Sequence, residues 1–343
     1  MLPFRKERAR AGDTGAVFFA KLIAAVIVLA AIAGGGAALA IGRAPAQDAI
    51  RLPGAVTRAM RVGEAEDGSP GADSDADLPR DGAGPACERA IEPGDFTRSF
   101  ETPEGERLYR LHVPANPGAR FLPMVLNFHG YGRTAAEQEE YSELAPLADR
   151  EGFVLVTPEG SGSPQGWDIP GIYADIGIDD TAFAAALIRD LTATLCIDGG
   201  RVFATGMSNG AQMAALLACA YPELVAAAAP VAGLAIDPCP NRVPIIAFEG
   251  SDDWNVEPWL VEETFALWGP ANGCDPEPTE ERVSEHVVKR AFANCGGFDA
   301  ELYWVEGGGH TWPGGAPDSV SGAGFVTDEI NATELIWAFF QRR

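Results

Sequence analysis

From residue 107 to the end of the chain, short apolar runs that resemble strands alternate with helical stretches. Strands separated by helices of this length form a mostly parallel sheet, because each helix returns the chain to the same end of the sheet and covers one face. The sequence therefore predicts an α/β fold with helices on both faces of a mostly parallel sheet. The predicted strands are RLYRLHV (107–113), PMVLNF (123–128), FVLVTP (153–158), RVFAT (201–205), APVAG (229–233), VPIIAFE (243–249) and AELYWVE (300–306), and the predicted helices are AAEQEEYSELAPLADREG (135–152), DDTAFAAALIRDLTATL (179–195), NGAQMAALLACAY (209–221) and NATELIWAFF (331–340).

Size and charge restrict the classes of function that the chain can have. Its 343 residues are 47% hydrophobic, which is enough for one large core. The 25 Lys and Arg against 49 Asp and Glu give a net charge of −24. Such a charge repels the phosphates of nucleic acids and anionic membrane surfaces, so we expect no nucleic-acid partner and interpret the acidic residues as a solvated surface.

The first 46 residues indicate export. Four basic residues between positions 5 and 10 precede an uncharged run at 22–41 that is long enough to span a bilayer. Two fates remain open for this segment. The sequence APA at 44–46 resembles a signal-peptidase site, whereas the length of the apolar run and its basic flank are typical of an uncleaved membrane anchor.

Residues 47–86 separate this segment from the body of the chain. They are rich in Gly, Pro, Asp and Ser with few apolar residues, which predicts a disordered acidic linker. The acidic DSDAD sequence within it lacks the spacing of a calcium loop, and the chain has no Cys-x-x-Cys pair, so no metal site is expected. Residues 87–343 then form the predicted catalytic domain.

All six cysteines follow the export segment, and an even number in an oxidising compartment predicts disulfide bonds. Proximity along the chain favours Cys219 with Cys239 and Cys274 with Cys295, which leaves Cys87 to pair with Cys196. Six cysteines allow fifteen complete pairings, so the sequence alone does not fix this connectivity. Buried free thiols are the alternative interpretation.

Ser208 is the candidate nucleophile. It lies in Gly206-Met207-Ser208-Asn209-Gly210, a G-x-S-x-G sequence between a predicted strand and a predicted helix. In that context the pattern is typical of a tight turn that exposes a serine hydroxyl above the start of a helix. A serine hydroxyl is a weak nucleophile at neutral pH, so this hypothesis requires a base and an orienting acid elsewhere in the chain.

The chain supplies both partners downstream of the serine. His310 lies in VEGGGHTWPGG, where we expect the glycines to form a flexible loop after the last predicted strand, whereas the other three histidines lie in or beside predicted strands or in a charged stretch. Asp252 and Asp253 follow the strand VPIIAFE. The order Ser, Asp, His along the chain is that of the α/β-hydrolases.

A predicted oxyanion hole completes the set. The segment NFHGYGRT (127–134) follows an early strand with a His-Gly pair. Backbone N–H groups in such a loop and in the residue after the nucleophile stabilise the negative oxygen that forms during acyl transfer. We therefore predict that the main-chain N–H groups of Tyr131 and Asn209 are the donors.

Together these motifs carry a resemblance to a known family. LNFHGYGRTA, DDTAF, RVFATGMSNGAQMA, APVAG, FEGSDD and GGGHTWPGG resemble, in the same order, the extracellular polyhydroxybutyrate depolymerase and feruloyl esterase group, which are secreted α/β-hydrolases of carbohydrate-esterase type. The resemblance runs from about Cys87 to the C-terminus. It implies an α/β-hydrolase fold and a Ser-Asp-His esterase without a cofactor, and it assigns the catalytic acid to Asp253, with Asp252 as its neighbour.

Two departures from the family pattern affect the expected substrate. A histidine of the family's acid motif is Glu249 here, and a cysteine that often follows His-Gly is Tyr131. Both changes alter the expected shape or charge of the acyl pocket. The chain also ends with the closing predicted helix, so soluble esters or oligomers are expected rather than crystalline polyester.

Three tryptophans lie close to these motifs along the chain, and a flat apolar ring suits a feruloyl group or a short acyl chain. Trp167, Trp254 and Trp312 are therefore candidate substrate-binding residues. The sequence thus predicts an exported serine esterase that acts on short polyester oligomers or on feruloyl or acetyl esters through an acyl-enzyme. The alternatives are a catalytically inactive, membrane-tethered binding protein of the same fold and a peptidase of the same fold.

Overall fold

A computed structural model describes residues 92–118, 120–169, 178–236, 239–316 and 324–343 of the chain. The predictions for the export segment, for the acidic linker and for Cys87 lie outside these residues. In the described ranges no helix is both long and apolar enough to cross a membrane.

A ten-stranded sheet, with the order β1-β2-β4-β3-β5-β6-β7-β10-β9-β8, organises the described residues. The six central strands, β4, β3, β5, β6, β7 and β10, run parallel to one another. Antiparallel strands extend the sheet at both edges, β1 and β2 beside β4, and β8 and β9 beside β10. The predicted α/β architecture is therefore confirmed. The strands are β1 (Gly94–Thr102), β2 (Gly105–Val113), β3 (Leu122–Phe128), β4 (Val154–Pro158), β5 (Ile197–Met207), β6 (Ala227–Val231), β7 (Ile245–Gly250), β8 (Thr279–Arg282), β9 (Val287–Ala291) and β10 (Ala300–Val305).

Helices cover both faces of this sheet, and each face has its own core. Along β3, Met124 and Leu126 join one core while Val125 joins the other, as the two-residue period of a strand requires. The first core takes its helical residues from α3, α4 and α5, and the second from α2 and α6. The helices are α1 (Ala135–Ser142), α2 (Leu144–Glu151), α3 (Asp180–Thr194), α4 (Asn209–Ala220), α5 (Pro258–Ala271) and α6 (Ala332–Phe340).

One predicted helix is divided in two. The stretch 135–152 forms α1 and α2, which meet at Glu143 with a left-handed φ of 53°. A capping box at Thr134 and Glu137 fixes the start of α1, and the N–H of Glu143 bonds the carbonyl of Glu139 at its end. The prediction of one continuous helix was wrong because the apolar residues continue across a backbone break that their periodicity does not show.

Four of the five described cysteines form disulfides between sequence neighbours. Cys219 is bonded to Cys239, and Cys274 to Cys295, as proximity along the chain predicted. Cys196 is also disulfide-bonded. Its predicted pairing with Cys87 remains a prediction, because Cys87 lies outside the described residues.

Replacement of Cys274 and Cys295 together with serine should lower the free energy of unfolding by about 3 kcal/mol, because a cross-link that closes a loop of this length restricts the unfolded chain. The two cysteines are 21 residues apart in sequence, and Cys219 and Cys239 are 20 apart. Urea unfolding of each double serine variant would measure the effect. Two similar losses support this account, and an unchanged midpoint in both variants would contradict it.

Candidate active site

The three residues of the predicted triad follow three parallel strands. Ser208 follows β5, Asp253 lies beyond β7, and His310 lies beyond β10. In the sheet the order of these strands is β5-β6-β7-β10, and all four are parallel. Their carboxyl ends therefore meet at one edge, where ligand sites of open α/β sheets form.

Ser208 occupies the sharp turn that its sequence predicted. It is the residue between β5 and α4, with φ 59° and ψ −123°, a conformation that few non-glycine residues adopt. Its carbonyl accepts hydrogen bonds from the N–H groups of Ala211 and Gln212, and its side chain makes no capping bond to α4. The hydroxyl therefore remains available for chemistry at a partly exposed position.

The two glycines around Ser208 are required by close backbone contacts. A Cβ atom on Gly206 would lie 2.5 Å from the carbonyl oxygen of Phe128, and one on Gly210 would lie 2.1 Å from the same atom. Both glycines thus bring β5 and α4 against the end of β3, where the predicted oxyanion loop begins.

Substitution of Gly210 with alanine should therefore destabilise the protein by about 1–3 kcal/mol or more, because backbone atoms cannot move aside as a side chain can. Thermal unfolding monitored by circular dichroism would measure this loss of stability. The matched control is Gly200→Ala in β5, since the nearest atom to a Cβ there is 3.5 Å away. Equal melting temperatures for the two variants would contradict the steric explanation.

His310 and Asp253 form a buried hydrogen-bonded pair. His310 Nδ1 lies 2.6 Å from Asp253 Oδ2, and the Asp253 side chain has no exposed surface. The other carboxylate oxygen, Oδ1, accepts the N–H groups of Asn255 at 2.8 Å and Val256 at 3.0 Å. Burial raises the pKa of Asp253, but the hydrogen bonds and charge of His310 and the two backbone donors outweigh it, so this pKa lies below its usual value. An ionised Asp253 favours a hydrogen on Nδ1 and leaves Nε2 as the basic nitrogen.

The loop that carries His310 is held in place by its backbone. The carbonyl of Gly308 accepts a bond of 2.8 Å from the N–H of Asp252, and the N–H of Gly309 donates to the carbonyl of Phe325 at 3.1 Å. Gly250 is also essential to this packing, because a Cβ there would lie 2.3 Å from the Gly308 oxygen. The flexibility of this loop stays a prediction, while the structure shows why its glycines are needed. The glycines allow close approach of two backbones.

The loop after β3 lies against Ser208. A Cβ on Gly130 would lie 3.5 Å from that of Ser208. His129 is fully buried, and its Nδ1 bonds the carbonyl of Gly130 at 2.8 Å, while its Nε2 accepts the N–H of Gly160 at 2.8 Å. Burial lowers the pKa of His129, so the ring is neutral and shapes this loop through both nitrogens.

The predicted oxyanion donors lie at the two sides of this contact. Tyr131 follows Gly130 in the loop, and Asn209 is the first residue of α4, so its N–H has no acceptor within its own helix. The Asn209 side chain is engaged elsewhere. Its Oδ1 accepts the N–H of Trp167 at 2.7 Å, and its Nδ2 donates to the Trp167 carbonyl at 3.1 Å.

Two of the three predicted substrate-binding tryptophans are buried in the protein. Trp167 is 2% exposed and donates from Nε1 to the carbonyl of His129 at 2.8 Å, and Trp312 is fully buried and donates to Thr333 Oγ1 at 2.9 Å. Neither ring has surface available to a ligand, so these two predictions are corrected: Trp167 supports the predicted oxyanion loop and Trp312 packs under α6. Trp254, beside Asp253, is 66% exposed and remains available.

Sequence reasoning missed one residue near the site and identified a second only as a departure from the family pattern. Phe325 is 54% exposed, and its carbonyl holds the His310 loop through Gly309 and Thr311, but no motif pointed to it. Glu249 is 2% exposed near the end of β7, and the chain turns back just after it, where the N–H of Asp253 bonds the carbonyl of Gly250 at 3.2 Å. Its signal was available, because an acidic residue ends an otherwise apolar buried strand.

Comparison with known proteins agrees with this geometry. The family model described as "Esterase PHB depolymerase" matches residues 108–241, which include Ser208 and the loop after β3. The chain is 32% identical over 252 residues to "Putative esterase NocK" of Nocardia uniformis subsp. tsuyamanensis, covering 61% of this chain and 71% of that protein. It is 28% identical over 221 residues to "Feruloyl esterase B" of Piromyces equi, covering 56% of this chain and 40% of that protein.

A solved structure shares the fold. The acetyl xylan esterase from Aspergillus awamori superposes with a TM-score of 0.58 at 18% identity, covering 73% of this chain and all of that one. At this identity the likeness concerns the α/β-hydrolase fold alone. The relative at 32% identity and the family model together lead to one conclusion. The chain belongs to the esterase PHB depolymerase family.

Proposed function

We propose that this protein is an exported carboxylic ester hydrolase that works through an acyl-enzyme on Ser208. The buried hydrogen bond of 2.6 Å between His310 and Asp253 carries this proposal, because it holds an imidazole with Nε2 basic at the sheet edge where Ser208 lies. The unusual backbone conformation of Ser208 supports it, since strain of this kind collects at catalytic positions.

The reaction follows from these positions. The Ser208 hydroxyl adds to the ester carbonyl while His310 accepts its proton, and the N–H groups of Tyr131 and Asn209 stabilise the oxyanion. His310 then returns the proton to the departing alcohol, which leaves an acyl group on Ser208. A water molecule, deprotonated by His310, adds to the acyl carbonyl, and collapse of this second intermediate releases the acid and restores the serine. Asp253 orients the imidazole throughout.

The proposed substrates are short polyester oligomers and feruloyl or acetyl esters. The description of the family names polyhydroxybutyrate depolymerases, and one relative is named as a feruloyl esterase. Tyr131 and Trp254, which are 49% and 66% exposed, provide aromatic surface on the loops of the site for such groups. No cofactor takes part in the proposed reaction.

Export is supported by the disulfides and by the N-terminal sequence. Cys219–Cys239 and Cys274–Cys295 are bonds that form and persist in oxidising compartments. The uncharged run at 22–41 is the proposed export signal or membrane anchor.

Hydrolysis of 3-hydroxybutyrate oligomers, methyl ferulate and a short acetyl ester by the purified full chain would test the proposal, with Ser208→Ala as the blank. Serine-dependent turnover of any of the three supports an esterase, and the preferred ester identifies its substrate class. Faster cleavage of a peptide amide than of every ester would indicate a peptidase instead. Binding of these esters without turnover would indicate a binding protein that has lost catalysis.

A further inference from the structure

Glu249 is a buried acidic residue that the proposed reaction does not use. It lies near the end of β7, beside Trp304 of β10 in the register, and is 2% exposed. One carboxyl oxygen, Oε1, accepts the N–H of Gly250 at 3.3 Å. No donor among the described residues reaches the other oxygen, Oε2, which is fully buried.

After β7 the chain turns back, and the N–H of Asp253 bonds the carbonyl of Gly250 at 3.2 Å, which brings the Asp253 carboxylate to the buried side chain of Glu249, where the two carboxyl groups interact. Two ionised carboxylates in contact repel each other and cannot share a hydrogen bond, whereas one proton between them satisfies both. Asp253 already accepts three N–H groups, from His310, Asn255 and Val256, and these favour its ionised form. The proton therefore belongs to Glu249, whose Oε2 otherwise has no partner.

We propose that Glu249 is a positioning residue, protonated at neutral pH, whose carboxylic acid donates a hydrogen bond to Asp253 and thereby fixes the orienting acid against His310. This inference rests on the proposed esterase function. It gives Asp253 a fourth donor and keeps the buried site at one negative charge, so that the imidazole faces a single, oriented carboxylate.

The electrostatic surroundings of Glu249 agree with this assignment. Burial, followed by the charge of Asp253, raises the pKa of Glu249 well above its usual value. In the described structure Asp253 is the charged group that acts on Glu249, and His310 binds the other side of Asp253. The neighbouring ends of β10 and β6, at Trp304 and Val231, present no charged side chain.

Two variants at position 249 separate the effect of a hydrogen bond donated to Asp253 from the effects of side-chain volume and charge. Glu249→Gln keeps the shape and can donate an amide N–H to Asp253 at every pH, whereas Glu249→Met fills a similar volume without a donor. Turnover of whichever ester the wild type cleaves would be measured for each, per active site titrated with a fluorophosphonate, so that unfolded protein is not counted. Ser208→Ala provides the blank and tests the underlying function separately.

The expected result is near-wild-type kcat for Glu249→Gln and a decrease of about ten-fold or more for Glu249→Met, the usual scale for a hydrogen bond to a charged group. The acid limb of the plot of kcat/KM against pH reports whether Glu249 is charged beside the Asp253–His310 pair. It should stay in place in Glu249→Gln if Glu249 is neutral there, and should move to lower pH if a negative charge has been removed. Equal kcat in both variants, or a shifted acid limb in Glu249→Gln, would overturn the proposal.

Stability provides a test that does not depend on esterase activity. A carboxyl group whose pKa is raised by folding holds its proton in the folded state while the unfolded chain releases it, so its contribution to stability is lost as the pH rises above the ordinary glutamate value of about 4.5. The melting temperature of Glu249→Gln minus that of the wild type should therefore increase as the pH rises from about 5 to about 8. A constant difference over this range would show that Glu249 is ionised as in the unfolded chain and would overturn the proposal.

Discussion

Alanine at position 208 should lower kcat for ester hydrolysis by about 10⁴-fold or more, the scale of loss when a serine nucleophile is removed from an intact triad. The fold should survive the change. Ser208 uses its backbone for the turn, through φ 59° and the bonds its carbonyl accepts from α4, and its side chain makes no capping bond. Alanine keeps those backbone groups, so the loss would be chemical and not structural.

The measurement combines turnover with covalent labelling. Wild-type protein treated with a fluorophosphonate should carry one adduct on the peptide that contains Ser208, and the alanine variant should carry none. Ser99→Ala is the matched control, because Ser99 is an exposed serine on the edge strand β1. If the alanine variant at 208 kept wild-type kcat with an unchanged melting temperature, Ser208 would not be the nucleophile and the proposed mechanism would fail.

The central strands and the Ser208 turn were predictable because their causes are local in the sequence. A strand buried on both faces must be apolar throughout, and β3, β4, β6 and β7 are buried along their whole length. Gly206 and Gly210 are likewise dictated by a contact that any such turn makes with the preceding strand. Apolar runs and paired glycines are therefore visible in the sequence, because the fold requires those residue types at those positions.

The edges of the sheet were not predicted, because they lack that signature. All four residues of β8 are exposed, and β1 alternates without a fully buried position. The helix α5 also went unnoticed, since Leu267 and Trp259 are exposed on it while Val261 and Phe265 are buried. Partial burial on a surface helix or an edge strand leaves too little contrast between its faces to identify it.

The tryptophans and Glu249 show what a sequence does not say about a site. Trp167 and Trp312 are near the motifs along the chain, but closeness in sequence does not give the direction of a side chain, and both rings point inward. Glu249 was noticed only as a departure from a family pattern. Its contact with Asp253 depends on how the chain turns after β7, which no pattern of residue types specifies.

Asparagine at position 253 should lower kcat by about 10⁴-fold, the second largest effect expected here. Asp253 Oδ1 accepts two backbone N–H groups, so in the variant the amide oxygen keeps that position and the amide N–H₂ faces His310 Nδ1. An N–H donor there favours the imidazole with its hydrogen on Nε2. That nitrogen then cannot accept the serine proton, although every residue keeps its place.

The adjacent Asp252 provides the control for this prediction. It differs from Asp253 in being exposed, and within the described part of the chain its Oδ1 accepts a local bond of 3.0 Å from Ser251. Asp252→Asn should therefore leave kcat within about two-fold of the wild type, since exposed polar substitutions change little. Melting temperatures of both variants would show whether they fold. Because the two aspartates are sequence neighbours with the same chemistry, a large loss at 252 or none at 253 would mean that the buried pair with His310 does not carry the catalysis.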